Sequence, residues 1–261
     1  MRPPRKTREI VHCGCARHLL AFSSMHTPEK HDAFDFWYAV NQTEILLMPA
    51  RRLETFGATM VNYHMISEPM DSVSQTRVRE GRIQAFRPQI LTPQTYASGL
   101  LEGFGKEAEA YAEWLRDHGK DLHVLRYGFQ IRKEVTQELL LAENLETVKE
   151  QVRERVKAKG DPMAAVLTGV DHPWEVCLLK LMADVIRYSA PGNIREMERH
   201  RLFEDEGGLP RAVREELDAD FRTASRDPRL IKPLGAKLQQ YGVFEDYQDR
   251  FFALVKTGKP K

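Results

Sequence analysis

The clearest hydrophobic pattern in the chain predicts a core helix that begins near Asp171. Its apolar residues recur at the i, i+3, i+4, i+7 spacing of one helix face and comprise Trp174, Cys177, Leu178, Leu181, Met182, Val185 and Ile186. Side chains at this spacing lie on one stripe, which is typical of a helix packed into a core. The run Pro191-Gly192-Asn193 predicts where this helix ends.

Weaker helical patterns occupy much of the remaining chain. They predict helices over 93–118, over 145–159, in a short segment from Asp161-Pro162, and in three segments after Pro210. The helix over 145–159 has the best defined bounds, because asparagine precedes it and glycine follows it, and both are common caps. The apolar residues of the last three helices are Val213, Leu217 and Phe221, then Leu230, Leu234 and Leu238, and finally Phe244, Tyr247, Phe251 and Val255.

Alternation with a period of two predicts β-strands in the first half of the chain. In 59–66 both alternating sets are mostly apolar, which predicts a strand covered on both faces. In 125–131 apolar and polar residues alternate cleanly, which predicts a half-buried strand, with 135–141 pairing back on it. The β-rich runs 36–40 and 43–48 flank a polar pair and predict a hairpin.

The segment 69–87 admits two interpretations. The favoured one is a helix that starts with Pro69 in its first turn and runs to about Arg79. The alternative is a hairpin with Glu80-Gly81 as its two-residue turn, in which Arg79 would face Arg82 directly. In the hairpin the two positive charges would lie opposite each other, whereas in the helix they would not.

Together these elements predict an α+β fold, in which a small, mainly antiparallel sheet is packed by about six helices. An α+β domain is expected over 34–190 and a helical C-terminal subdomain over 193–256. Residues 1–33 have no sustained period, so they are predicted to be disordered, or to be a mis-annotated prefix to a protein that starts at Met25.

Composition and charge exclude several classes of protein. The 261 residues carry 39 Lys and Arg against 38 Asp and Glu, a formal net charge of +1, so no global field attracts nucleic acid or anionic lipid. No apolar run approaches the roughly 20 residues of a membrane span, and three cysteines do not form a disulfide framework. A soluble, cytoplasmic protein without membrane contact is therefore expected.

Four arginines close together are the first candidate site. Arg77, Arg79, Arg82 and Arg87 are opposed within their span only by Glu80. The planar guanidinium group suits phosphate and carboxylate, so these residues, with nearby Tyr63, are predicted to bind an anionic ligand or partner. The alternative is that the arginines pair with carboxylates of the chain itself.

A histidine near carboxylates is a weaker candidate. His64, with Glu68, could act as a general acid or base, although a histidine on an apolar strand is more often a core residue. His12, Cys13, Cys15 and His18 lack the paired spacing of a zinc motif, so no metal is predicted. No cofactor motif is found in a suitable context, and no cofactor is predicted.

Three functional hypotheses follow. The leading one is a non-enzymatic binding or regulatory protein whose arginine cluster engages nucleic acid or an acidic protein. The second is a small-molecule enzyme that acts on a phosphorylated or carboxylated substrate in a cleft near His64 and Arg79. The third is a structural homo-oligomer assembled through the C-terminal aromatic residues Phe244, Tyr247, Phe251 and Phe252.

Overall fold

The computed structural model describes residues 30–70, 74–92, 124–205 and 207–257, and within them the fold is α+β, as predicted. The described helices are α1 Lys30–Gln42, α2 Leu145–Lys159, α3 Trp174–Arg199, α4 Arg211–Ala224, α5 Ile231–Gln240 and α6 Gln248–Thr257, and a 3₁₀ turn, Pro228–Leu230, precedes α5. The described strands are β1 Glu44–Leu47, β2 Thr59–Ser67, β3 Thr76–Ala85, β4 Gln89–Leu91, β5 Val124–Arg126, β6 Phe129–Leu141 and β7 Ala164–Thr168.

Five strands form one mixed sheet in the order β1-β7-β2-β3-β6. The pair β2/β7 is parallel, and the other neighbours are antiparallel. Strands β6 and β7 therefore run in the same direction on either side of the β2/β3 pair, and α2 is the crossover that connects them. Such a crossover places its helix on one face of the sheet.

The chain forms two compact units. The described residues of one lie within 30–88 and 127–193 and contain the five-stranded sheet, α1, α2 and the first part of α3. The described residues of the other are 89–92, 124–126 and those within 194–257, and they contain the end of α3, the β4/β5 pair and helices α4 to α6. Strands β4 and β5 thus belong to the second unit although they lie between two strands of the first unit in sequence.

The core on the α2 side of the sheet is aliphatic. Val148, Val152 and Val156 project from α2 at intervals of four residues and pack against Ile66 and Val78 of the sheet. The side chain of Asn144 accepts a hydrogen bond from the backbone N–H of Thr147, and Gly160 ends the helix in the left-handed conformation. The predicted bounds and caps of this helix are confirmed.

The opposite face of the sheet carries Tyr63 and Met65, which are both fully buried. The Tyr63 ring lies 6.4 Å from the ring of Trp174, at the start of α3. Residues on both faces of β2 are therefore covered, which confirms the prediction for 59–66. The apolar stripe of α3 is also buried from Cys177 to Ile186, as its spacing predicted, and Trp174 is half-buried.

Both predictions for 69–87 are wrong. Residues Thr76–Ala85 form one strand, β3, that pairs with β2 on one side and with β6 on the other. Glu80 and Gly81 lie inside this strand, so they form neither a helix end nor a turn. Local propensity was overridden because a central position in the sheet satisfies the backbone hydrogen bonds of both edges of the strand.

Four other predictions also need correction. Residues 36–40 belong to α1 and not to a strand, and 129–141 is one continuous strand that pairs with β3. The segment after Asp161-Pro162 leads into β7 and not into a helix. Pro191 lies inside α3, which continues to Arg199, because a helix can lose one hydrogen bond at a proline when packing holds its flanks. The helix predicted over 93–118 and nearly all of the segment 1–33 lie outside the described residues.

Candidate functional site

A cleft of about 480 Å³ opens on the α2 side of the sheet, where α2 ends. Its described lining is mostly polar and comes from β2, β3, β6, the last turn of α2 and the approach to β7. The residues are Asn62, Tyr63, His64, Glu80, Gly81, Arg82, Gln137, Val156, Lys159, Asp161 and Ala164.

The strand register explains why these side chains meet. Ile66 and Val78, which are cross-strand partners, both pack against α2, so residues two and four positions away on each strand face the same side. His64 lies opposite Glu80, and Asn62 opposite Arg82. Apolar residues thus occupy the part of this face beneath α2, and polar residues occupy the part beyond its end.

His64 and Glu80 form a half-enclosed pair in the cleft. The imidazole Nδ1 is buried and lies 3.2 Å from Oε1 of Glu80, off the line of an ideal hydrogen bond. Glu80 also pairs with Arg155 of α2. Burial lowers the pKa of His64 below its ordinary value, Glu80 opposes this shift, and Arg155 and Lys159 add to it. The imidazole is therefore neutral at pH 7.

Two cations line the cleft without an ion-pair partner among the described residues. They are Arg82 of β3 and Lys159 in the last turn of α2, and both side chains are exposed. Arg82 also lies directly opposite Arg132 of β6.

A carboxylate and two amides complete the lining. Asp161 Oδ2 accepts a hydrogen bond of 2.6 Å from Nδ2 of Asn62, and its Oδ1 accepts one of 2.9 Å from the backbone N–H of Met163. Gln137 of β6 lies opposite Glu80 and is exposed. The cleft therefore offers hydrogen-bond acceptors beside its two cations.

The first two arginines of the predicted cluster lie on the other face of the sheet. Arg77 pairs with Asp171, and its Nε lies 2.8 Å from Oε1 of Glu138. Arg79 Nη1 lies 2.9 Å from Oδ1 of Asp171, and its Nε lies 3.2 Å from Oε2 of Glu138. The two positive and two negative charges thus neutralise each other within the chain. This arrangement is expected if the arginines stabilise the fold.

Asp171 is the most enclosed carboxylate of this network, with 9% of its side chain exposed. Ser67 donates a further hydrogen bond of 3.1 Å to it, and the guanidinium of Arg79 lies 5.2 Å from the centre of the Trp174 ring. Burial alone would raise the pKa of Asp171, but the hydrogen bonds from Arg77, Arg79 and Ser67 hold it below its ordinary value. The carboxylate therefore stays charged at neutral pH.

The other predicted site residues are dispersed. Tyr63 borders the cleft, but its ring is buried on the opposite face near Trp174. Glu68 is exposed beyond the end of β2 and lies four residues from His64, about 13 Å along an extended strand. Arg87 follows β3 and is exposed.

Several residues of the cleft were not predicted from the sequence. Asp161 and Lys159 flank the C-cap Gly160 and reach the cleft only because β7 pairs with β2, a pairing that the sequence interpretation lacked. Gln137 reaches it through the pairing of β6 with β3. The alternation of Val78, Glu80 and Arg82 with Arg77, Arg79 and Gly81 was the available signal that the two sets face opposite sides.

The described residues allow few other sites. They contain no cluster of His, Cys, Asp and Glu side chains suited to a metal, and the segment with His12, Cys13, Cys15 and His18 lies outside them. None of the helices in the described ranges combines the length and apolar character that a membrane span requires.

The C-terminal aromatic residues largely pack within their own unit. The rings of Phe221 and Tyr247 stack at 5.7 Å, and Phe244 meets Phe251 edge-on at 5.4 Å. Phe252 is 45% exposed. Oligomerisation through this surface stays a prediction.

Comparison of the chain with protein-family models, with curated proteins and with solved structures finds no match.

Proposed function

We propose that this protein binds a small phosphorylated or carboxylated molecule in the cleft beside His64. The observation that supports this proposal is the convergence of Arg82 and Lys159, two cations with no ion-pair partner among the described residues, on a polar cleft of about 480 Å³. A cleft of this size holds a small ligand, and charge-assisted hydrogen bonds to an anion are among the strongest that a protein makes.

A nucleic acid or acidic protein bound by the whole arginine cluster is less well supported. Arg77 and Arg79 already pair with Asp171 and Glu138, so an external anion would have to compete with two carboxylates of the chain. Those arginines also face the opposite side of the sheet from Arg82. We therefore keep the anionic ligand that the sequence suggested, and we propose the cleft as its binding site.

An enzymatic role of the same cleft is the second candidate, and the His64–Glu80 pair favours it. A carboxylate beside Nδ1 orients an imidazole so that its other nitrogen can accept a proton from a ligand. Glu80, and not Glu68, would then be the positioning residue. Chemical turnover of a bound ligand, lost in His64→Gln while binding persists, would support this role, and the absence of turnover for every bound ligand would exclude it.

We expect Arg82→Ala and Lys159→Ala each to weaken the binding of phosphate or sulfate about tenfold or more. The loss of a hydrogen bond between charged groups costs about 1.5–3 kcal/mol, and 1.4 kcal/mol corresponds to a factor of ten. Isothermal titration calorimetry, or ligand-induced changes in amide chemical shifts, would measure the affinity.

Lys157→Ala is the matched control for Lys159→Ala. Both lysines lie in the last turn of α2 and interact with the same helix dipole, but Lys157 pairs with Glu154 on the exposed surface. Arg187→Ala, which removes an exposed arginine from α3, is the control for Arg82→Ala. Equal effects of the control and cleft variants would show a general loss of positive charge and would contradict the proposal.

Anion binding should also tighten as the pH falls from about 7.5 to about 5.5, by up to about tenfold. Burial lowers the pKa of His64, and a bound anion would raise it, so binding takes up a proton. The groups that face His64 are Glu80 and Arg82 of β3, Arg155 and Lys159 of α2, and Asp161.

Sulfate is the suitable probe for this experiment, because its charge stays constant over the range. The variant His64→Gln should bind sulfate with an affinity that varies little with pH. A pH dependence that persists in His64→Gln would assign the proton to another group and contradict this role of His64.

A further inference from the structure

We infer that the ligand of the cleft carries hydroxyl groups beside its anionic group, so that it is a phosphorylated or carboxylated polyol. This inference rests on the proposed anion binding and specifies the class of ligand. It depends on the acceptors that the cleft places next to its cations, which a simple anion would leave unused.

The anion-binding and acceptor groups lie at neighbouring positions of the sheet. Arg82 is the cross-strand partner of Asn62, and the side chain of Asn62 donates to Asp161. Asn62 of β2 therefore lies between Arg82 of β3 and Asp161, which precedes β7. A ligand that places its anionic group at Arg82 and a hydroxyl beside Asn62 would direct that hydroxyl toward Asp161.

Asp161 retains the capacity to accept hydrogen bonds from a ligand. Each of its oxygens accepts one hydrogen bond, one from Asn62 and one from the backbone N–H of Met163. A carboxylate has about four lone-pair sites, so each oxygen can accept another. A simple anion would leave these remaining sites of Asp161 unused, whereas a hydroxyl would donate a hydrogen bond to one of them.

The amide groups of the cleft can donate hydrogen bonds to the oxygen of a ligand hydroxyl. A hydroxyl both donates and accepts, and the cleft provides amide N–H donors at Asn62 and Gln137 beside the carboxylate acceptors. Asn62 uses one N–H on Asp161 and has a second. Gln137 adds an amide on the far side of Glu80, so the polar groups extend across β2, β3 and β6.

The test compares ligands that differ only in hydroxyl groups. Glycerol 3-phosphate and n-propyl phosphate have the same carbon skeleton and charge, and glycerate and propionate form the equivalent carboxylate pair. Calorimetric titration of the full chain should give at least about tenfold tighter binding of the hydroxylated member in one pair or both. The pair that binds more tightly shows whether the anionic group is a phosphate or a carboxylate.

Variants then assign the preference to residues. Asp161→Asn and Gln137→Ala should each reduce the preference for glycerol 3-phosphate over n-propyl phosphate, or for glycerate over propionate, by about threefold or more. Because Asp161 also holds the turn before β7, thermal unfolding must show that its variant is folded, and the exposed Gln137 provides a variant without this complication.

The outcomes separate the two proposals. Equal affinity within both pairs, with Arg82→Ala still weakening each ligand, would overturn the polyol inference and leave anion binding intact. A preference that Asp161→Asn and Gln137→Ala both leave unchanged would overturn it as well. No binding of any of the four ligands, or no effect of Arg82→Ala, would instead overturn the proposed function.

Discussion

Replacement of Asp171 by alanine is expected to destabilise the protein by about 3–5 kcal/mol, which is the usual cost of removing one partner from a buried ion pair. Asp171 receives hydrogen bonds from Arg77 and Ser67 and pairs with Arg79. Arg77 and Arg79 have only 15% and 8% of their side chains exposed, and Glu138, which is 47% exposed, would be their remaining carboxylate. Urea unfolding followed by circular dichroism would measure the change.

The pH dependence identifies the carboxylate as the cause. The pKa of Asp171 is lowered in the folded protein, so its contribution is present above the unfolded pKa of about 4 and is lost as the pH falls through the folded value. The difference in unfolding free energy between wild type and Asp171→Ala should therefore be largest at pH 5–7 and shrink below about pH 4.

Asp184→Ala is the control for this prediction. Asp184 pairs with Arg187, which is 68% exposed, and such surface pairs contribute about 1 kcal/mol or less. A loss of this small size in Asp171→Ala, or a difference that does not change with pH, would show that the network does not stabilise the fold.

The helices and the central strand β2 could be predicted because their signals are local. The caps Asn144 and Gly160 and the spacing of Val148, Val152 and Val156 define α2 without reference to any other part of the chain. The apolar residues on both faces of β2 likewise require cover on both sides.

The position of β3 could not be predicted from local pattern. Glycine at Gly81 and proline at Pro69 suggested a helix end or a turn, whereas Gly81 lies in the strand interior at a shift in the β3/β6 register. The reason for glycine is a contact distant in sequence, with the ring of Tyr63 on the neighbouring strand. A glycine in the sequence can therefore mark either a turn or a close tertiary contact, and only the tertiary structure distinguishes the two.

The candidate site was predicted in part. His64 and Arg82 line the cleft, but Arg77 and Arg79 face the other side because successive residues of a strand alternate between faces. The carboxylates of the cleft, Glu80 and Asp161, are brought there by the β2/β3 register and by the crossover from β6 to β7. Register is set by long-range pairing. Arginines that are close in sequence were therefore grouped together, although they lie on opposite faces of the sheet.

Replacement of Gly81 by alanine is the second change with a large expected effect, a loss of about 1–3 kcal/mol in unfolding free energy. An added Cβ would lie 2.5 Å from the hydroxyl oxygen of Tyr63 and 2.7 Å from its Cζ, well inside contact distance. Tyr63 is fully buried and its ring lies near that of Trp174, so it cannot move aside without cost. The overlap outweighs the gain of about 0.5–1 kcal/mol that alanine ordinarily brings over glycine in a strand.

A double-mutant cycle with Tyr63→Leu separates the cost of the overlap with Tyr63 from the gain of alanine over glycine. Tyr63→Leu alone is destabilising because it removes a buried ring, but it also removes the atoms that the new Cβ would meet. In the Tyr63→Leu background, Gly81→Ala should therefore be neutral or stabilising by up to about 1 kcal/mol, a coupling free energy of about 1–4 kcal/mol between the two positions. If Gly81→Ala costs the same in both backgrounds, glycine is required there for a reason other than its contact with Tyr63.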